Sequence, residues 1–412
     1  MSAVQEIIDS LHEQLPWQSE LYQHFHRHPE LGLEEHDTSA RIASELGALG
    51  YEIHKIGGTG IVGVLANGQG PAVLARADID ALPVTENTGL DYSSTVEGVM
   101  HACGHDMHIA TLLGAARLLS EHKDAWTGTH IALFQPAEET AAGAKAMVAD
   151  GLVEKIPKPV VALAQHMMPV EAGKIGTTAG PILSAGDSLR ITVYGRGAHG
   201  SMPHNSVDPV VLASSIVLKL QTIVSRETRP GQFAVLTVGA VNAGSTANII
   251  PDRAQLLLNI RTYDPALRQH VIDSIERIVR GECAAAGSPQ EPDFEFYDQF
   301  PLTSNDAASN EKVTKAFEGH FAEGQVYQTD PATASEDFST IPDAFGVPYV
   351  YWTVGCADPE TYQAALAEGT VASKIPANHS PFFAPVINPT LETATRTQVV
   401  AALAYLGHGA QG

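Results

Sequence analysis

Short apolar runs bounded by Gly or Pro recur through the first part of the chain: YEIHKI, GIVGVLA, PAVLARAD, THIALFQP and KPVVALAQH. Runs that stay apolar, instead of alternating with polar residues, predict strands covered on both faces. Between them, 36–50 (HDTSARIASELGALG), 108–122 (HIATLLGAARLLSEH) and 140–152 (TAAGAKAMVADGL) carry apolar positions at helical spacing. This alternation predicts an α/β fold, a mainly parallel mixed sheet flanked by helices. From Asp187 the order becomes strand (DSLRITVYG), helix (VDPVVLASSIVLKLQTIVSRE), strand (FAVLTVGAV), strand (RAQLLLNIR), helix (PALRQHVIDSIERIVRGECAAAG), strand (DFEFYD). That βαββαβ order predicts an inserted ferredoxin-like α+β unit. After Pro301 the mixed pattern resumes, with a helix over 310–321, a strand at VPYVYWTVG and a closing helix PTLETATRTQVVAALAYLG. The expected organisation is a discontinuous first domain, 1–186 and 301–412, interrupted by a second over 187–300.

Length supports that division, since 412 residues exceed what one core usually holds. Charge narrows the partners: 24 basic against 47 acidic side chains leave −23, so a phosphate backbone would be repelled and no nucleic-acid partner is expected. No run long and apolar enough to span a bilayer is evident, and the amino terminus is polar and amphipathic, so neither membrane insertion nor export is expected. Three scattered cysteines, Cys103, Cys283 and Cys356, suit a reducing compartment, and the cytoplasm is the expected location.

The densest chemistry is His101-Ala-Cys103-Gly-His105-Asp-Met-His108, ahead of a predicted helix. A thiolate and an imidazole two residues apart at a strand-to-helix turn suit zinc or another first-row divalent ion. The same residues would also suit a capping segment with a buried cysteine. Glu138 and Glu139 follow the strand THIALF, and the carboxyl ends of strands are where open α/β sheets gather their ligands. One of two adjacent carboxylates can hold a metal while the other takes a proton from water; a dipole-favoured helix start is the alternative. His166 ends KPVVALAQH, and His379 sits in the Pro-flanked loop ANHSP. Together these make five donors, enough for two metals sharing one bridge. Asp78 and Asp80 end another strand, where Asp80 could orient a ligating imidazole or simply terminate the strand before Pro83.

The motifs FHRHPELGLEE, RADIDALPV, HACGHD, FQPAEE, AQHMMP, GRGAHGSMPH, AGSTANIIPD, ASEDFS and ANHSPFF, spread over residues 25–383, make the chain resemble the cocatalytic di-metal aminoacylase and carboxypeptidase family. The resemblance is to the branch containing hippurate hydrolase and the plant auxin-conjugate amidohydrolases. It implies Cys103, His105, Glu139, His166 and His379 as ligands of two divalent ions, with Cys103 the bridge and Glu138 the general base. Where many relatives carry His-x-Asp, this chain has Asp78-Ile79-Asp80, so His105 would replace the missing histidine and Asp80 would act beside it. Zinc is favoured for the thiolate, and manganese, cobalt and nickel also fit such mixed donors.

The resemblance further implies that the inserted unit is a lid that pairs two copies into a homodimer. His199 would reach the neighbouring copy's active site to stabilise an oxyanion, and Asn248 and Arg261 would contact the substrate. Glu336 and Asp337 carry no assigned role. The implied activity is hydrolysis of the amide in small N-acyl amino acids. A dipeptidase or carboxypeptidase using the same centre, and a catalytically silent metal-binding scaffold, are the alternatives.

Overall fold

The computed structural model describes residues 3–407, which divide into two compact units. The first comprises the chain up to Ile182, Ser304–Pro331 and the chain from Asp337; the second comprises Leu183–Thr303 and Ala332–Glu336. The return of 332–336 to the second unit was not foreseen. It follows from local bonding: Leu183 bridges Ala332, and Ser184 N donates to Ala334 O at 2.8 Å.

The first unit is built on an eight-stranded sheet. Its spatial order is Glu52–Lys55, Ile61–Asn67, Gly128–Gln135, Ala72–Asp78, Val161–Glu171, Tyr349–Ala357, Ile175–Thr177, Val326–Gln328. The four central strands run parallel. They are the continuous apolar runs of the sequence, and from Ile131 to Gln135 and from Tyr349 to Cys356 every residue is buried. The hairpin Glu52–Lys55/Ile61–Asn67 is antiparallel and joins the sheet antiparallel, which makes that flank mixed. Helices Ala3–Arg27, His105–Glu121 and Ile387–Leu406 pack on one another, and their apolar side chains, among them Leu11, Leu21, Leu112, Leu113, Val399 and Leu403, belong to one core with the sheet.

Two helices differ from expectation in ways that shape the site. The helix expected over 108–122 starts at His105, because Gly104 takes φ 88° and turns the chain into it; His105 and His108 therefore lie one turn apart on a helix, not in a loop before it. The helix expected over 140–152 is broken into Gly143–Ala149 and Leu152–Lys155, with Gly151 at φ 85° between them. Residues 137–142 instead form a turn in which Ala137 (φ 44°) and Ala141 (φ 52°) are left-handed.

The second unit has the expected βαββαβ order and an antiparallel sheet ordered Ala234–Ala243, Arg253–Thr262, Ala185–Tyr194, Asp293–Phe300. Helices Pro209–Thr222 and Pro265–Ala286 cover one face. Each starts with Pro after an Asp cap, Asp208 accepting from Val210 N at 2.9 Å and Asp264 from Leu267 N at 2.7 Å. Leu189, Ile191, Val193, Leu256, Leu258 and Ile260 meet Leu212, Ile216, Val271 and Ile275 in its core. By length and composition the segment Pro209–Glu227 would pass for a membrane span, with a mean hydropathy of 1.2. Its inward face is accounted for by this core, while Val210, Val211 and Leu218 stay exposed on the other.

Candidate metal centre and active site

Parallel strands deliver their carboxyl ends to one edge of the first unit's sheet, and register brings the chemistry together there. Asp78 pairs with Gln135, whose strand leads directly into Glu138 and Glu139, and His166 pairs with Thr353. The helix starting at His105 opens at the same edge: its ring lies 5.4 Å from that of His108 and 6.0 Å from that of His166. His379 arrives from far along the chain. Its N–H donates to Ala102 O at 2.7 Å, and the Asn378 amide donates to Met167 O at 3.1 Å and Cys103 O at 3.3 Å. A left-handed backbone at His379 (φ 69°) completes the loop.

The imidazole tautomers are set by partners that can only accept or only donate. His105 Nδ1 bonds Asp80 O at 2.9 Å, and His166 Nδ1 bonds Met167 O at 2.8 Å. A carbonyl cannot donate, so both Nδ1 atoms carry the proton and both Nε2 lone pairs face the cluster. His166 Nε2 lies 3.5 Å from Cys103 Sγ. The donor atoms of Cys103, His105 and His166 lie within 4.8 Å of one another, and those of Cys103, Glu139 and His379 do the same. Cys103 is the member common to both groups. Glu139 Oε1 lies 3.2 Å from His379 Nε2 and 3.9 Å from His105 Nε2.

Among the described residues, His105 Nε2 and Glu139 Oε1 are buried without a well-formed hydrogen bond, although His379 Nε2 lies 3.2 Å from Glu139 Oε1. Buried polar atoms without such bonds are costly, and these two lie 3.9 Å apart where the donor groups meet. The electrostatics ask for positive charge at the same place. Burial pushes the His105 imidazole down, but the charge of Asp78 with Asp80 and Cys103 outweighs it and holds the ring well above its ordinary value. Cys103 and then Glu139 beside His379 push it up to about 10. His166 goes the other way, lowered by burial and then by His108, so it stays a neutral lone-pair donor. Sulfur, imidazole and carboxylate in this arrangement fit borderline divalent cations.

His108 belongs to a different structure although its ring nitrogens come close to Asp78 and His105. The Met167 N–H donates to His108 Nε2 at 2.9 Å, and His108 Nδ1 contacts Asp78 Oδ1 at 2.5 Å. Both nitrogens are used, so the ring has no lone pair left for a metal. It ties the strand end carrying Asp78 to the strand carrying His166. Arg76, 1 % exposed, extends the tie: NH1 donates to Asp78 Oδ2 at 2.7 Å and Nε to Gln135 Oε1 at 2.9 Å. Burial alone would raise the Asp78 carboxyl; Arg76, His105 and His108 overcome that and hold it well below the usual carboxylate range.

Glu138 is buried in the turn after Gln135, its carboxylate within 4.8 Å of the His105 and Glu139 donor atoms. Asp80 meets His105 twice, its carbonyl at 2.9 Å and its Oδ1 at 3.3 Å from Nδ1, and its Oδ2 accepts from Glu139 N at 3.0 Å. The sequence motifs contained His108 and Arg76 but not their roles. Spacing offered one signal, His108 three residues after His105 on a helix.

The lid residues lie in the second unit. Ala198–His199 pairs antiparallel with Ile249–Ile250, and Gly200 N donates to Asn248 O at 2.8 Å, so His199 and Asn248 line one cleft with Gly244 and Ser245. His199 Nδ1 accepts from Ser201 N at 3.1 Å, which leaves the ring proton on Nε2. Arg261 is not in that cleft. It sits at the far end of Arg253–Thr262, about 26 Å along the strand from Arg253, where its Nε donates to Asn259 Oδ1 at 2.9 Å and its NH1 to Ser335 Oγ.

Residues 74–375 match the model of peptidase family M20/M25/M40. The N-acetyl-L-cysteine deacetylase of Bacillus subtilis (strain 168) is 41% identical over 319 residues, 77% of this chain and 75% of that protein. The hippurate hydrolase of Campylobacter jejuni is 38% identical over 343 residues, 82% of this chain and 87% of that protein. Among solved structures, the Bacillus subtilis YXEP protein, described as a dinuclear metal-binding peptidase of the M20 family, superposes with a TM-score of 0.77 at 27% identity and covers 96% of this chain and 99% of its own. The chain belongs to peptidase family M20/M25/M40.

Proposed function

We propose that this protein is a metal-dependent amidohydrolase that cleaves N-acyl amino acids into a carboxylic acid and a free amino acid. The observation that carries the reading is the convergence of the His105 and His166 lone pairs on Cys103, beside Glu139, His379 and an adjacent Glu138. Cys103, His105, His166, Glu139 and His379 would hold two divalent cations, zinc being favoured by the thiolate. Such cations supply Lewis acidity, acidifying water towards a pKa of about 7 and polarising a carbonyl.

The chain's own residues do the rest. Glu138 takes the proton from the attacking water and returns it to the amine nitrogen as the amide breaks. Asp80 keeps the His105 lone pair aimed by accepting its Nδ1–H, and the Asp78–His108 contact holds the His166 strand in place. His199 presents Nε2–H, a donor suited to the oxyanion that forms at the attacked carbonyl, where one such donor is commonly worth about 3 kcal/mol. Asn248 and Arg261 bind the substrate's amide and carboxylate.

The separation of His199 and Asn248 from Arg261 within one lid favours their serving different active sites. A homodimer would meet that need, each copy lending His199 to its partner. The edge strand Ala234–Ala243 and the neighbouring helix Pro209–Thr222 are the surface for it: Val241 and Leu218 are exposed there, and that strand has a sheet partner on one side only.

Elemental analysis followed by turnover of acetyl, benzoyl and indole-acetyl amino acids, with unblocked dipeptides in parallel, tests the reading. Glu138→Gln is expected to keep its metal and lose turnover by a factor of about 100 or more. Full activity in that variant removes Glu138 from the reaction, and a preference for unblocked dipeptides makes the enzyme a dipeptidase.

A further inference from the structure

We propose that Glu35 is a positioning residue for Glu138: its buried carboxylate, anchored by Thr59, holds the Ala137 N–H and so fixes the turn that carries the general base. The inference rests on the reading of Glu138 given above. Glu35 lies in the segment FHRHPELGLEE, to which the chemistry so far has assigned nothing. It sits at the start of helix His36–Ala48 yet makes no side-chain cap for that helix. Glu30 does so in its place, accepting from Asp37 N at 3.1 Å and Thr38 N at 2.8 Å.

Relieved of capping, Glu35 turns inward and is fully buried. Its Oε2 accepts from the Thr59 hydroxyl at 2.5 Å, and its Oε1 accepts from Ala137 N at 2.8 Å. Thr59 is itself held, since the Ser39 hydroxyl donates to Thr59 O. A carboxylate taken wholly out of water needs such partners, and one of them is the residue immediately before Glu138.

The turn needs holding. Ala137 and Ala141 both have positive φ, 44° and 52°, a conformation that side-chain-bearing residues adopt only when the surroundings impose it. Ala141 N donates to Glu138 O at 2.8 Å, and Gly143 N to Ala137 O at 3.1 Å. Gly143 passes so near Pro136 that a Cβ there would fall 1.5 Å from its carbonyl oxygen. Glu138 is therefore flanked by two backbone N–H groups each gripped by a carboxylate: Ala137 by Glu35 and Glu139 by Asp80. The Asp80 carboxylate also lies 3.3 Å from His105 Nδ1, so its loss would disturb the donor set directly. The hydrogen bonds of the Glu35 side chain go to Thr59 and Ala137 and to none of the five donors, so it reaches the donor set through the turn, which also carries Glu139.

The test compares Glu35→Ala, Glu35→Gln, Glu35→Ala with Ala137→Gly, and Thr59→Val. Metal content, thermal unfolding, kcat and KM are measured for each on an N-acetyl amino acid. Glu35→Ala is expected to keep both metals and lose kcat by about 10- to 100-fold with little change in KM, the cost of misplacing a reacting group by an ångström or less. Glu35→Gln, which still offers an oxygen to Ala137 N, should retain at least about a third of kcat. Adding Ala137→Gly to Glu35→Ala should recover kcat by about fivefold or more, because glycine adopts the turn without a tether.

Wild-type kcat in folded, metal-loaded Glu35→Ala overturns the proposal, as does a double variant whose melting temperature rises while kcat stays low. If Glu35→Ala does not fold, Thr59→Val decides: a kcat loss of about threefold or more at full metal content supports positioning, and unchanged kcat refutes it. Glu138→Gln keeps the two readings apart. Full turnover there defeats the general-base assignment, whereas an inactive Glu138→Gln beside a fully active Glu35→Ala defeats only the role of Glu35.

Discussion

Replacing His108 by Leu separates a ligand from a positioning residue in one experiment. His108 spans two buried groups, accepting from Met167 N at 2.9 Å and contacting Asp78 Oδ1 at 2.5 Å. Leucine preserves bulk but orphans both, and each unsatisfied buried group costs about 1–3 kcal/mol, so the first unit should lose roughly 2–6 kcal/mol. Asp78 keeps Arg76 on its other oxygen, which argues for the lower half of that range. The backbone at Met167 adjoins His166, so relaxation there moves a donor, and losses of about 10–100-fold in metal affinity are typical when such an outer partner is removed. Urea unfolding and competition with a calibrated chelator give the two numbers. Saturating metal should still bring the variant to two ions per chain. A stoichiometry that falls to one with the remaining affinity unchanged would mean that His108 is itself a ligand, and the tautomer argument that both its nitrogens are occupied would be wrong.

Other consequences are open to direct measurement. His130, buried against the Tyr51 hydroxyl at 2.8 Å, is pushed by burial down to about 3. Its folded value lies below its unfolded one, so the stability tied to it is present above about pH 6.5 and is lost as pH falls, by about 2 kcal/mol at pH 5. His130→Phe should flatten that part of the stability profile, and an unchanged slope between pH 7 and 5 would remove burial as the cause. Removing metal should lower the melting temperature reversibly, since ligand at 100 times its dissociation constant stabilises by about 2.7 kcal/mol; a melting temperature indifferent to chelator and to added zinc would count against the donor set. If the proposed homodimer forms through the lid, Leu218→Asp, at a position 73% exposed on the lid helix, should give a monomer by light scattering with greatly reduced turnover. Mixing His199→Ala with Glu138→Gln after dissociation should restore about a quarter of wild-type activity per site, because half the reassembled dimers contain one intact pairing. No restoration would mean that each copy uses its own His199.

What the sequence discloses here follows from whether a feature depends on one residue's character or on two residues' mutual geometry. The central strands were legible because a strand covered on both faces is apolar at most positions, and THIALF and VPYVYWTVG are, with Thr129, His130 and Thr353 the exceptions. Candidate donors were legible because few residue types bind metal, and Glu138 and Glu139 follow the carboxyl end of one of those strands. The break in 140–152 was not, since its apolar spacing suits a helix and only the contacts around Ala137, including Glu35 from another part of the chain, enforce the left-handed turn. Asp80 was read as a carboxylate when half its work is done by its carbonyl, which every residue possesses and no motif can mark. His108 shows the limit most clearly. It stands in the same motif as Cys103 and His105, carries the same ring as a ligand, and lies close to the donor set, yet a backbone N–H donated by Met167 takes the lone pair that would have made it one. Composition cannot distinguish the two fates of a histidine; the direction of one hydrogen bond does, and that direction is set by a residue 59 positions away.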